Sequence, residues 1–133
     1  MRLLTLLFVF LCFTNSAMSQ SYSGDEKVTQ IVYEDAEPKL YRLYPTQNIW
    51  TFIKLNTSNG EMTQVQFSMD DNRMESPLLD YPLVYGDDVQ VGRFALYPTQ
   101  NIWTFILLDQ IDGDTYQVQW STSPENRGVL PIN

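Results

Sequence analysis

Histidine is absent from this chain, and cysteine occurs once, at Cys12. Without histidine, Ser–His and Cys–His nucleophilic arrangements and ordinary zinc sites are excluded. Cys12 sits inside an apolar run, Leu3–Phe13, so the chain beyond it carries no thiol and no disulfide. Its stability must then come from packing. Basic residues are scarce, with 8 Lys and Arg against 16 Asp and Glu. A surface of that sign is repelled by nucleic acid and by anionic membranes. No Gly-rich phosphate loop or dinucleotide fingerprint occurs, which removes the common nucleotide-binding classes. No cofactor is expected.

The N-terminus reads as a targeting segment. Arg2 precedes the apolar run, and Thr14–Ser19 is a polar tail ending in Ala17-Met18-Ser19. The run is too short to span a bilayer, and the tail satisfies the small-x-small rule for cleavage. This predicts a signal peptide over 1–19, a new N-terminus at Gln20 and a flexible stretch over 20–27. Val9, Phe10 and Leu11 stand where a lipid-attachment cysteine would want small residues. The expected location is the periplasm or the exterior, with no membrane insertion of the mature chain. Cleavage removes Arg2 and leaves 7 basic against 16 acidic residues.

What the chain does have is a duplication. Residues 44–53 and 97–106 both read YPTQNIWTFI, 53 positions apart. Ile31-Val32-Tyr33 matches Leu83-Val84-Tyr85, Gln64-Val65-Gln66 matches Gln117-Val118-Gln119, Gly60 matches Gly113, and Asn72-Arg73 matches Asn126-Arg127. A period near 50 signals stacked units that each bury too little alone. Two units follow, over 28–77 and 81–131. The fold class expected is all-β: two tandem four-stranded antiparallel meanders packed as one small sandwich or barrel-like domain.

The strands are read from β-branched and aromatic residues in alternation, bounded by turn residues. In the first unit they fall at Val28–Tyr33, Leu40–Tyr44, Ile49–Asn56 and Met62–Met69. In the second they fall at Pro82–Tyr85, Gly92–Tyr97, Ile102–Asp109 and Thr115–Thr122. Asn59-Gly60 and Asp112-Gly113 are hairpin turn dipeptides. A three-residue loop, with glycine left-handed, sets Ile53 opposite Val65 and Thr51 opposite Phe67. One face then carries Ile49, Thr51, Ile53, Leu55, Thr63, Val65 and Phe67, with Ile102, Thr104, Ile106, Leu108, Tyr116, Val118 and Trp120 in the second unit. This is the expected core face. The other face carries Trp50, Phe52, Lys54, Gln64, Gln66 and Ser68, and Trp103, Phe105, Leu107, Gln117, Gln119 and Ser121. Aromatic rings beside amides suit either half-coverage by the other unit or a ligand.

The duplicated YPTQN–aromatic–x–Phe segment, followed by Asp/Asn, Gly and Gln-Val-Gln-Trp-Ser, resembles a group of small exported Gram-negative bacterial proteins. The resemblance spans nearly the whole mature chain. It implies export and the internal repeat, and it brings no activity and no site residue.

Catalytic chemistry finds little footing. A carboxylate pair for glycoside hydrolysis is available by composition, yet no acid lies in an apolar strand centre where its pKa would rise. Asp109, Asp112 and Asp114 lack the spacing of an EF-hand loop and read as a hairpin turn. Arg73 and Arg127 follow acidic loops and read as local carboxylate pairs rather than anion sites. The expectation is a non-enzymatic protein-interaction module, as adaptor, inhibitor or complex subunit of the cell envelope or exterior. The alternative is a glycan or small-ligand binder that stacks sugars on the rings. Eleven consecutive identities, the YPTQNIWTFI segment with the leucine before it, against 6 among the next 15 positions, point to Gln47, Asn48, Trp50, Phe52, Gln100, Asn101, Trp103 and Phe105 as candidate binding residues. The competing explanation is that Pro, Thr and Asn fix an unusual turn.

Overall fold

A computed structural model describes residues 37–132. The expected signal peptide, the segment over 20–27 and the strand expected at Val28–Tyr33 lie outside these residues. The described chain is all-β. β1 (Tyr41–Pro45), β2 (Thr51–Asn56), β3 (Met62–Gln66) and β4 (Met74–Leu79) form one antiparallel meander. β5 (Phe94–Pro98), β6 (Thr104–Asp109), β7 (Thr115–Gln119) and β8 (Gly128–Ile132) form a second. Neither sheet closes into a barrel. The two pack face to face around one shared core, with β4 nearest β8 and β2 nearest β5.

One strand assignment needs correction, and two strands were not expected. Pro82–Tyr85 is not a strand: it leads into a short 3-10 turn at Gly86–Asp88, and the Leu83 amide donates to the Asn59 carbonyl rather than into a ladder. The fourth strand of each sheet instead follows the Gln-Val-Gln segment, at β4 and β8. Each contains a proline, Pro77 or Pro131. Proline cannot donate to a ladder on both sides, so such a strand is confined to a sheet edge, where both are found.

The hairpin register also differs by one residue. Phe52 faces Val65 and Ile53 faces Gln64 in the first sheet; Phe105 faces Val118 and Ile106 faces Gln117 in the second. The loops hold four residues, Thr57–Gly60 and Gln110–Gly113, closed by Asn56 to Glu61 and Asp109 to Asp114 amide–carbonyl bonds. The residue before each loop makes the extra position affordable to the backbone. The Asn56 carboxamide oxygen accepts from the Ser58 amide, and the Asp109 carboxylate from the amides of Ile111 and Asp112. Such Asx turns compete well with a tighter loop. Gly60 and Gly113 close the loops at φ of 85° and 82°, where a side chain is strained.

This one-residue slip moves the glutamines. Each sheet has an aliphatic face (Thr51, Ile53, Leu55, Met62 and Gln64 in the first; Thr104, Ile106, Leu108, Thr115 and Gln117 in the second). Each also has an aromatic face (Phe52, Lys54, Thr63 and Val65; Phe105, Leu107, Tyr116 and Val118). The expectation that both units bury the same face is overturned. The core joins Ile53, Leu55, Met62, Leu78 and Leu79 of the first sheet to Phe94, Leu96, Phe105, Leu107, Val118 and Trp120 of the second. The aliphatic face of the first sheet thus packs on the aromatic face of the second. Val65 is only half-buried, Phe67 and Ile49 are exposed, and Ile102 is exposed.

The reason lies at positions where the copies differ. On the aromatic face, Lys54 and Glu75 of the first sheet stand where the second has Leu107 and Val129. Sealing that pair inside would cost more than leaving it in water. The aromatic face with leucine and valine goes inside instead.

The connector between the sheets closes over the tip of the first hairpin. The amides of Phe94 and Gln90 donate to the carbonyls of Thr57 and Ser58, and the Gly92 amide donates to the Thr57 hydroxyl. Leu83 covers Gly60 so closely that an added Cβ would meet it at 2.8 Å.

Candidate interaction surface

The Pro-Thr-Gln-Asn loops repeat one hydrogen-bond design. The Thr46 hydroxyl donates to the Thr51 carbonyl (2.9 Å) and accepts from the Asn48 amide (3.1 Å). The Asn48 carboxamide oxygen accepts from the Trp50 amide (2.9 Å). Thr99 and Asn101 do the same for Thr104 and Trp103, at 2.8, 3.1 and 3.0 Å. Asn48 and Asn101 therefore act on their own backbone. Gln47 and Gln100 point to solvent in both loops.

The candidate aromatic residues do not share one surface. Phe105 is 4% exposed and belongs to the core. Trp103 packs on Trp120, centroids 4.7 Å apart, and the Trp120 indole donates to the Ile102 carbonyl. Trp50 and Phe52 lie on the outside of the first sheet, where both contact Phe67 at 5.1 and 6.1 Å. The glutamines lie on the opposite, aliphatic face of each sheet, so rings and amides are not neighbours.

Two outer faces result. The outer aromatic face of the first sheet exposes Tyr41, Leu43, Trp50 and Phe67 around half-buried Phe52 and Val65. The Lys54 ammonium pairs there with Glu75, and Thr63 donates to the same carboxylate. These two bonds hold the Glu75 carboxyl below its ordinary range. The outer aliphatic face of the second sheet exposes Tyr97, Leu130 and Ile132 beside half-buried Ile106 and Leu108.

No protein-family model, no curated protein and no solved structure matches this chain.

One buried ionic site escaped sequence reasoning. Arg93 and Asp109 are 3% and 4% exposed and meet in a two-pronged pair at 2.8–3.0 Å. Arg93 also donates to the Asp112 carboxylate and to the Asp88 carbonyl. Burial alone would raise the Asp109 carboxyl; the Arg93 guanidinium and the amides of Ile111 and Asp112 outweigh it and hold it below its ordinary value. The signal available was position. Asp109 continues the Phe105–Leu107 alternation, which makes it inward-facing once that face is known to be buried. The pair fastens the connector to the second hairpin, and two of the three acids expected in a plain turn, Asp109 and Asp112, are used there.

Arg127 departs from the expected carboxylate pairing. It donates to the carbonyls of Ser121 and Thr122 and to the Ser76 hydroxyl of the other sheet, so it staples the two edges. Arg73 does meet a carboxylate, Asp71 at 3.4 Å, in the open. Among the described residues no group of three acids could hold a metal ion, and no helix is long and apolar enough to cross a membrane.

Proposed function

We propose that this is an exported, non-enzymatic protein-interaction module that works through the outer faces of its sandwich. One observation carries the reading: among the described residues the aromatic face of the first sheet is left open, with Trp50 and Phe52 each against Phe67 and with Leu43 and Tyr41 exposed on the neighbouring strand. An exposed aromatic patch with a neutralised ion pair set among apolar side chains has the composition of a protein interface. Exposed Trp, Tyr and Phe are the residue types that anchor such contacts. A stacking platform for sugars is less well supported, because Trp50 and Phe67 are tilted by 55° and no amide row flanks them.

The test is capture from the native secretome by residues 20–133, beside the Leu43→Lys and Tyr41→Lys variants and a glycan array. The reading expects specific proteins that wild type retains and both variants lose, at unchanged melting temperature. Glycan binding without protein capture, or capture indifferent to both variants, would overturn it.

A further inference from the structure

Each outer face is a sequence copy of a face already buried inside the sandwich. Leu43 is the repeat partner of Leu96, and Phe67 of Trp120; the outer residues are 60% and 45% exposed, the inner ones 3% and 1%. Trp50, Phe52 and Val65 match Trp103, Phe105 and Val118. On the other side, Thr104, Ile106, Leu108 and Gln117 match Thr51, Ile53, Leu55 and Gln64. The surface that receives an aromatic face inside the molecule is therefore duplicated on the outside of the second sheet, unpartnered among the described residues. The surface that enters it is duplicated on the outside of the first.

We infer that the partner of these faces is a second copy of this chain, docked head to tail. The outer aromatic face of one copy rests on the outer aliphatic face of the next, as the first and second sheets meet within each copy. This rests on the interaction reading above and names its partner.

Details of the internal contact carry over. Gln64 is fully buried, and its side-chain oxygen accepts from the Ser121 amide at 3.3 Å. Gln117, exposed on the outer aliphatic face, is placed to accept from the Ser68 amide of the next copy. The hairpin tip Thr57–Gly60 is covered, whereas its partner Gln110–Gly113 is exposed, as expected for the end of a stack. Where the copies differ, the outer contact is the weaker one. Lys54 and Glu75 replace Leu107 and Val129, so the association is reversible and concentration-dependent. A contact between unlike faces does not close on itself in a pair; it closes as a ring or runs on as a filament. Four-stranded meanders stacked in this sense are the arrangement of propeller blades.

The experiment uses residues 20–133, which contain every described strand, in sedimentation velocity over a broad concentration series. Wild type should grow beyond a dimer as concentration rises. Leu43→Lys blocks only the aromatic face and Leu130→Lys only the aliphatic one, and both residues are exposed, so the fold is spared. Each variant alone should stay monomeric. Their equimolar mixture should give a species of about twice the monomer mass that grows no further, because one good face of each remains. The chain after Cys12 is free of thiols, so a Ser68→Cys, Gln117→Cys double variant treated with a short thiol cross-linker should give a covalent ladder. Either single cysteine variant should not.

A wild type that stays monomeric throughout overturns the inference, and so does association abolished by one lysine variant and untouched by the other. A monomer whose lysine variants still lose a foreign protein in the capture experiment would overturn the head-to-tail stack and leave the interaction reading standing.

Discussion

Phe52 and Phe105 occupy the same position of an identical ten-residue segment, and the fold buries only Phe105. Their neighbours show the reverse: Ile53 is fully buried and Ile106 half-exposed. Side chains of adjacent strand residues point to opposite faces. The duplication therefore places two copies of one strand against each other with opposite faces inward. Identical residues are structural in one copy and surface in the other.

Arg93 and Asp109 should govern acid sensitivity. Asp109 is held below its ordinary value of 3.8. Its contribution is thus present above the unfolded value and is lost as pH falls through the folded one. Asp109→Asn should cost about 3–5 kcal/mol near neutral pH, since it leaves the buried Arg93 charge with only the exposed Asp112 carboxylate as a close counter-charge. The gap between variant and wild type should narrow below about pH 4. Thermal melts across that range check both statements. A gap that widens in acid would contradict them.

The loop threonines and asparagines should matter for stability, and the loop glutamines should not. Thr99→Ala or Asn101→Ala removes a bond to the backbone of a tight turn and should cost about 1 kcal/mol. Gln47→Ala and Gln100→Ala should leave the melting temperature unchanged. Chemical denaturation of the four variants reads the difference directly.

The Thr51 hydroxyl and the Gln64 amide nitrogen are buried with no hydrogen-bond partner among the described residues. An unpaired buried polar atom costs about 1–3 kcal/mol. Thr51→Val keeps the shape and removes the hydroxyl, so it should raise the melting temperature. Thr104→Val, at the half-buried repeat position, should change it little.

Neither sheet should stand alone. Each lends one face to the single core, and a unit of this size is near the lower limit for independent folding. Residues 81–133 expressed alone should lack cooperative unfolding and should bind a hydrophobic dye. A fragment melting as sharply as the whole would contradict the shared core.

Much of this architecture was legible in the residues. The alternation, the turn dipeptides and the duplication lead to two four-stranded meanders packed together. The turn reading of Thr46 and Asn48 also follows from their chemistry, since both side chains favour their own backbone. The face that goes inward was not legible from YPTQNIWTFI, because an identical segment cannot encode two fates. That choice is written in Lys54 against Leu107 and Glu75 against Val129, positions outside the segment. The four-residue hairpin loops were hidden by the Gly dipeptides, which suit shorter loops equally well. The edge strands β4 and β8 were masked by Pro77 and Pro131. The Arg93–Asp109 pair joins residues 16 apart, and the spacing of its members gives no sign of it.

The opposed packing of the two copies is tested most directly by four alanine variants in guanidinium unfolding: Phe52→Ala, Phe105→Ala, Ile53→Ala and Ile106→Ala. The costs should cross between the copies. Phe105→Ala should lose about 3–5 kcal/mol and Ile53→Ala about 2–5 kcal/mol. Phe52→Ala and Ile106→Ala, half-buried at the surface, should each lose less than half as much as their repeat partners. Equal losses for both phenylalanines and for both isoleucines would mean that the copies bury the same face, and the account would be wrong.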